Sequence, residues 1–213
     1  MTVISGEDRE QGFKWVLVLA IVTIGYNLAE GIVSTYFGYA DETLTLFGFG
    51  ADSFIETISA LGVAQMVVRI RKHPDSDRAP FEIASLRITG WCFYGLSFIL
   101  VLSAIFSIIQ GHQPVSTLAG MVISLISIVL MWALVYAKLH WGKKLESKPV
   151  IADARCNVVC IYMSIVLLVA SSLWLLFQIP YIDALGSLAL VYFCVSEGKE
   201  AFEKARGIHD CGC

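Results

Sequence analysis

The sequence predicts an all-α, polytopic membrane protein with six transmembrane helices. Three observations carry that prediction. Of the 213 residues, 57% are apolar and only 15% charged, with a mean hydropathy of +0.72; a typical soluble domain carries roughly 25% charged residues. Three long stretches, 88–137, 156–182 and 184–196, contain no Asp, Glu, Lys or Arg. Finally, every Lys and Arg falls in or beside the termini and alternate loops. A net charge of −3 offers no basic excess for nucleic acid, and none is expected as a partner.

Each span follows from the need for roughly 20 mostly apolar residues to cross a bilayer. The first is expected at 13–37. The segment before it holds three acids and one base, and no small-residue cleavage site follows, so it reads as a span and not a signal peptide. The second, at 44–69, carries Asp52 and Glu56 inside it. The stretch 88–137 is too long for one span. Gln110-Gly111-His112-Gln113-Pro114 breaks it into 86–109 and 115–138. The fifth begins near Pro149, whose ring suits a first helical turn, and ends near Gln178-Ile179-Pro180. The sixth runs over 181–198, with Asp183 near its start, so a six-helix membrane domain is expected at 1–198 and a short tail at 199–213.

The bases set the orientation. Arg69, Arg71, Lys72, Arg78 and Arg87 surround the loop after span two. Lys138, Lys143, Lys144, Lys148 and Arg155 surround the loop after span four, and the rest lie near the termini. The positive-inside rule then makes both termini cytoplasmic.

Ionisable groups inside a span cost some ~2.5–3.5 kcal/mol each at the centre, so they point to function. Asp52 and Glu56 are i and i+4, on one helix face with Ser59 beyond them. Two such carboxylates resist ionising together unless a cation or proton neutralises them. In span five, Asp153, Cys156, Asn157 and Cys160 fall within an arc of roughly 100°. That face offers a carboxylate, an amide and two thiols. Asn27, Glu30 and Ser34 on span one line the same cavity or tie that span to the bundle. The tail ends His209-Asp210-Cys211-Gly212-Cys213, a soft-metal pattern that also suits a free end. Cys92 and Cys194 stand alone and read as packing residues.

These features resemble the cation diffusion facilitator family of divalent-metal transporters. The resemblance rests on six spans with both ends inside and on Asn27-Leu28 in span one. It also rests on Thr43 ahead of Ala51-Asp52-Ser53-Phe54-Ile55-Glu56 and on the loop from Pro74 to Glu82, followed by Ile83-Ala84-Ser85-Leu86. Tyr181-Ile182-Asp183-Ala184-Leu185-Gly186 is similar to the family's entry into span six. Glu56 stands where the family's span-two motif has a second Asp. Aligning Ala152-Asp153-Ala154 with the span-five motif puts Cys156 at its His position and Cys160 at its Asp position; a second frame pairs Asp153 with Asn157. The resemblance implies metal ligands Asp52, Glu56, Cys156 and Cys160, with Asp153 and Asn157 close by. The chain resembles the short branch lacking the cytoplasmic metal-binding domain that supports the family's homodimer.

The function so implied is secondary transport, not enzyme catalysis: export of a divalent cation from the cytoplasm by proton antiport. Zn²⁺ is the first expectation, and the thiols admit Cd²⁺ or Hg²⁺. The metal is the substrate and no cofactor is expected. Protons are the counter-ion, the bilayer and a second copy the other partners. No G-x-x-x-x-G-K-S/T motif is present for ATP. The alternatives are a membrane thiol redox protein using Cys156 and Cys160, and a membrane metal sensor that transports nothing.

Overall fold

The computed structural model describes residues 6–41, 43–72, 80–111, 113–145, 148–179 and 181–207. The described residues form six α-helices: α1 (Gly6–Ala40), α2 (Leu44–Lys72), α3 (Pro80–Gln110), α4 (Leu118–Lys144), α5 (Lys148–Phe177) and α6 (Ile182–Ala205). The all-α polytopic class is therefore the observed one. α1 to α5 are each long and apolar enough to cross a membrane. α6 has the highest share of charged residues, with Asp183 at one end and Glu197, Lys199, Glu200, Glu203 and Lys204 at the other. Side chains such as Ile32, Phe98, Phe106, Trp132 and Tyr192 point outward and leave an apolar exterior. Such a surface suits lipid, not water.

The helices pair as α1 with α2, α3 with α6, and α4 with α5; α2 also touches α3, α5 and α6. In lipid, helix association relies on close packing of small residues, because apolar side chains gain little by leaving acyl chains for one another. The α1–α2 contact shows this. A side chain at Gly38 would meet the backbone of Phe47 at 2.5 Å, and one at Gly50 would meet the backbone of Thr35 at 2.6 Å. Backbone cannot step aside, so glycine is required at both positions. α4 buries Gly120, Ser124 and Ser127 against α5, where Ser164 donates to the Ser127 hydroxyl at 3.0 Å.

An apolar core fills the centre. Leu46 and Phe49 of α2, Phe93 and Leu100 of α3, Met163 and Leu167 of α5, and Leu190 and Cys194 of α6 pack together. Cys92 packs against this cluster, in keeping with the packing role read for both cysteines. Phe13, Val67, Leu145 and Val150 form a second cluster at the end bearing the described Lys and Arg residues, hereafter the basic end.

The opposite end is knitted by polar contacts between loops. Val115 N–H donates to Asp41 O at 2.9 Å, Thr43 Oγ1 to Ser116 O at 3.1 Å, and Thr117 Oγ1 to Ser171 O at 3.0 Å. The strongest tie is Asp183. From the first turn of α6, its carboxylate accepts the N–H of Leu44 at 2.6 Å and of Thr45 at 3.1 Å; Thr45 Oγ1 returns a bond to Asp183 O at 2.8 Å. A helix leaves its first four N–H groups without intrahelical partners, and a carboxylate there also complements the helix dipole. Asp183 thus caps α2 from another helix.

Two details go beyond the sequence reading. The helix α6 continues past the expected span to Ala205, with Ala201 and Ala205 buried within the bundle. Lys138, read as a loop-side base, sits inside α4 and is only 1% exposed. The Cys-Gly-Cys tail and the loop from Pro74 to Ala79 lie outside the described residues.

Two substitutions test this packing. Gly50→Val is expected to force α1 from α2 and cost about 1–3 kcal/mol, the range for overpacking; thermal unfolding in detergent measures it. Asp183→Asn keeps the shape but loses a charge-assisted cap. It should lower the unfolding temperature by an amount corresponding to about 1 kcal/mol, within the range for lost caps.

Candidate metal centre

The site is built on α2, where the i, i+4 spacing places Asp52 and Glu56 on one face. α5 packs against that face and contributes Cys160. Carboxylate oxygens of Asp52 and Glu56 and the Cys160 Sγ all lie within 4.8 Å of one another. The Cys160 thiol donates a short hydrogen bond to Glu56 Oε1. Asp52 is 1% exposed, and its Oδ1 has no hydrogen-bond partner among the described residues. Buried polar atoms nearly always find a partner, so an orphaned carboxylate oxygen beside two other possible donor atoms makes this cluster a candidate cation site.

α1 supplies the supporting shell. Asn27 Nδ2 donates to Glu56 Oε2 at 3.0 Å and fixes the orientation of that carboxylate. Glu30 lies one turn further along α1, held by Tyr26 OH at 2.5 Å and by Ser53 Oγ at 3.0 Å. Both its oxygens are therefore engaged outside the three-ligand cluster.

The other residues of the α5 face take different partners. Cys156 accepts from Lys204 Nζ of α6 at 3.2 Å. Asp153 pairs with Lys138 Nζ of α4 at 2.8 Å. The Asn157 amide oxygen accepts from the same ammonium at 3.3–3.4 Å in either amide orientation. Of the six residues named from sequence, the structure brings three together (Asp52, Glu56 and Cys160) and places Cys156, Asp153 and Asn157 against lysines.

All six except Asp52 and Cys160 line a cavity of about 30 Å³. Glu56 reaches it from α2, Thr89 from α3 and Glu197 from α6. Its α2 lining, Glu56, Ser59 and Ala60, lies on the basic-end side of Asp52, and Lys204 lines it from the basic end of α6, so the cavity extends toward that end.

Residues 16–206 match the family described as the cation efflux transmembrane domain. The chain belongs to the cation efflux family. A relative is the manganese efflux system protein MneP of Bacillus subtilis (strain 168), 28% identical over 152 residues. That alignment covers 69% of this chain and 50% of MneP, so the chain spans about half the length of that protein.

Within this cation efflux domain, sequence reading missed Lys138 and Glu197 as residues of the site. Lys138 had a signal: it is the first charge after a long uncharged run in α4. Its distance from Asp153 in the chain hides the pairing, which depends on how α4 lies against α5. Glu197 stood among the charges of an expected tail boundary, where acids are ordinary.

The geometry separates the two cysteines. In equilibrium dialysis with Cd²⁺, Cys160→Ser is expected to weaken binding by at least about tenfold, whereas Cys156→Ser should bind nearly as wild type. Equal losses would put both thiols in the ligand set. Asn27→Ala leaves Glu56 unoriented and should weaken binding by about 10–100-fold, the usual effect of a ligand's supporting partner.

Proposed function

We propose that this chain is a secondary transporter that carries a divalent metal cation out of the cytoplasm, with Asp52, Glu56 and Cys160 as its protein ligands. The observation that supports it most is the orphaned Asp52 oxygen beside Glu56 and the Cys160 thiol, at membrane depth in a cation efflux domain. Three protein ligands leave coordination positions for water or a fourth group, as in zinc sites that must exchange what they bind. The positive-inside rule turns the basic end, and both termini, to the cytoplasm. The cavity beside Glu56 then serves as the entry path.

Coupling to protons follows from the ligand chemistry. Thiol and carboxyl groups must give up their protons to hold a metal. The thiol proton shared with Glu56 is one that an arriving cation displaces. Binding therefore strengthens as pH rises and weakens as it falls. Release toward a more acidic compartment returns protons to the same ligands, which is metal/proton antiport. Rocking of helix pairs about the mid-membrane site would alternate access.

The donor set also bears on selectivity. One thiolate with two carboxylates suits Zn²⁺ and admits Cd²⁺; carboxylates alone would suit Mn²⁺. The manganese efflux named for MneP supports Mn²⁺ as the second reading. Because Cys156 stands with Lys204, the site is less sulfur-rich than the two-thiol expectation, and Hg²⁺ loses its main argument.

Proteoliposomes with an imposed pH gradient test the transport reading. Metal is expected to move against protons, reported by a metal-sensitive dye and a pH dye, and Asp52→Ala should abolish both signals. Binding without flux would favour a sensor, and undiminished flux in Asp52→Ala would remove this site. Cys160→Asp should shift preference from Cd²⁺ toward Mn²⁺ by about tenfold or more, since a thiolate is exchanged for an oxygen donor.

A further inference from the structure

We propose that Lys138 is a fixed counter-charge that holds Asp153 out of the ligand set and so limits the cavity to a single divalent ion. This rests on the reading that Asp52, Glu56 and Cys160 bind that ion.

Asp153 lies seven residues before Cys160 on the same face of α5, so it is about 10 Å along the helix from that ligand. It lines the same cavity as Glu56 and stands beside Cys156, Asn157 and Glu197. A carboxylate so placed would attract any cation entering from the basic end. Lys138 meets it instead. Its Nζ is 2.8 Å from Asp153 Oδ2, and the same ammonium holds the Asn157 oxygen. The lysine is 1% exposed, in a helix whose residues from Leu118 to Ala137 carry no charge. A long cationic side chain buried at this depth is costly, and an apolar residue would pack there at less expense. Its position answers a charge, not a packing need.

The charged group facing Lys138 is Asp153 on α5, with Glu56 of α2 lining the cavity that Asp153 also lines. Across the cavity, α6 presents Glu197 and Lys204; Lys204 sits on the Cys156 sulfur and pairs with Glu200 at 2.7 Å. Asp153, Cys156 and Asn157, three of the four α5 residues that look like ligands in sequence, are therefore already served by ammonium groups tethered to α4 and α6.

The pair makes a prediction of opposite signs. Removing the ammonium exposes an uncompensated carboxylate, so Lys138→Gln should take up a second ion or bind about tenfold more tightly. Removing the carboxylate leaves an unpaired cation near the site, so Asp153→Asn should bind about tenfold more weakly. One unit charge about 10 Å from a divalent ion changes affinity by more than about tenfold at an effective dielectric of about 20, so tenfold is the smallest change expected. Lys138→Gln with Asp153→Asn should return to within about threefold of wild type, and Lys138→Arg should keep single-ion binding. A residue needed only for folding would weaken binding in both single variants.

The experiment is a Cd²⁺ isotherm on the full chain in detergent at fixed pH and ionic strength. Asp52→Asn, included in the same series, tests the ligand reading: if it leaves binding intact, that reading fails. The counter-charge fails if the two single variants change binding in the same direction or not at all. Should Lys138→Gln not fold, Asp153→Asn and the double variant decide. Weakening by the first and recovery by the second support the proposal. An unchanged Asp153→Asn overturns it.

Discussion

Two carboxylates one turn apart on a buried helix impose the constraint around which this bundle is arranged. Asp52 and Glu56 cannot both carry bare charge in a medium that screens poorly, so something must neutralise them. The surrounding helices supply the answer in parts. α1 donates an amide from Asn27 to Glu56, and α5 donates the Cys160 thiol. One Asp52 oxygen is left for a partner that the described residues do not supply. The close α1–α2 packing through Gly38 and Gly50 keeps Asn27 within reach, since any wider separation of these helices would break its bond to Glu56.

Much of this was legible in the amino-acid order. The uncharged stretches and the placement of bases revealed the helices and their alternation, because lipid tolerates few charges and breaks between helices need polar or glycine-rich turns. The carboxylate pair was legible too, since helical periodicity fixes which residues of one helix share a face. Periodicity cannot say which neighbouring helix meets that face or at what height. It therefore placed Cys156 and Cys160 together as equals, whereas the stagger of α5 against α2 admits only Cys160 to the cluster. The same limit hid the Lys138–Asp153 pair, which joins two helices across a turn.

Asp183 illustrates another kind of reading. An acid near the end of a span looks like either a stray boundary charge or part of a pathway. In the folded chain it has a third role, completing the hydrogen bonding of another helix's first turn. Bonds of this type depend on the direction of backbone amides in space. The sequence of neither helix states that α2 begins beside α6.

That cap has a mechanical consequence. Any movement that parts α2 from α6 at the end they share pulls one carboxylate from two amides at once. Hydrogen bonds to charged groups are worth roughly 1.5–3 kcal/mol each. The contact is therefore a latch: it fastens the start of α2 to the start of α6, two helices far apart in the chain, with a single side chain.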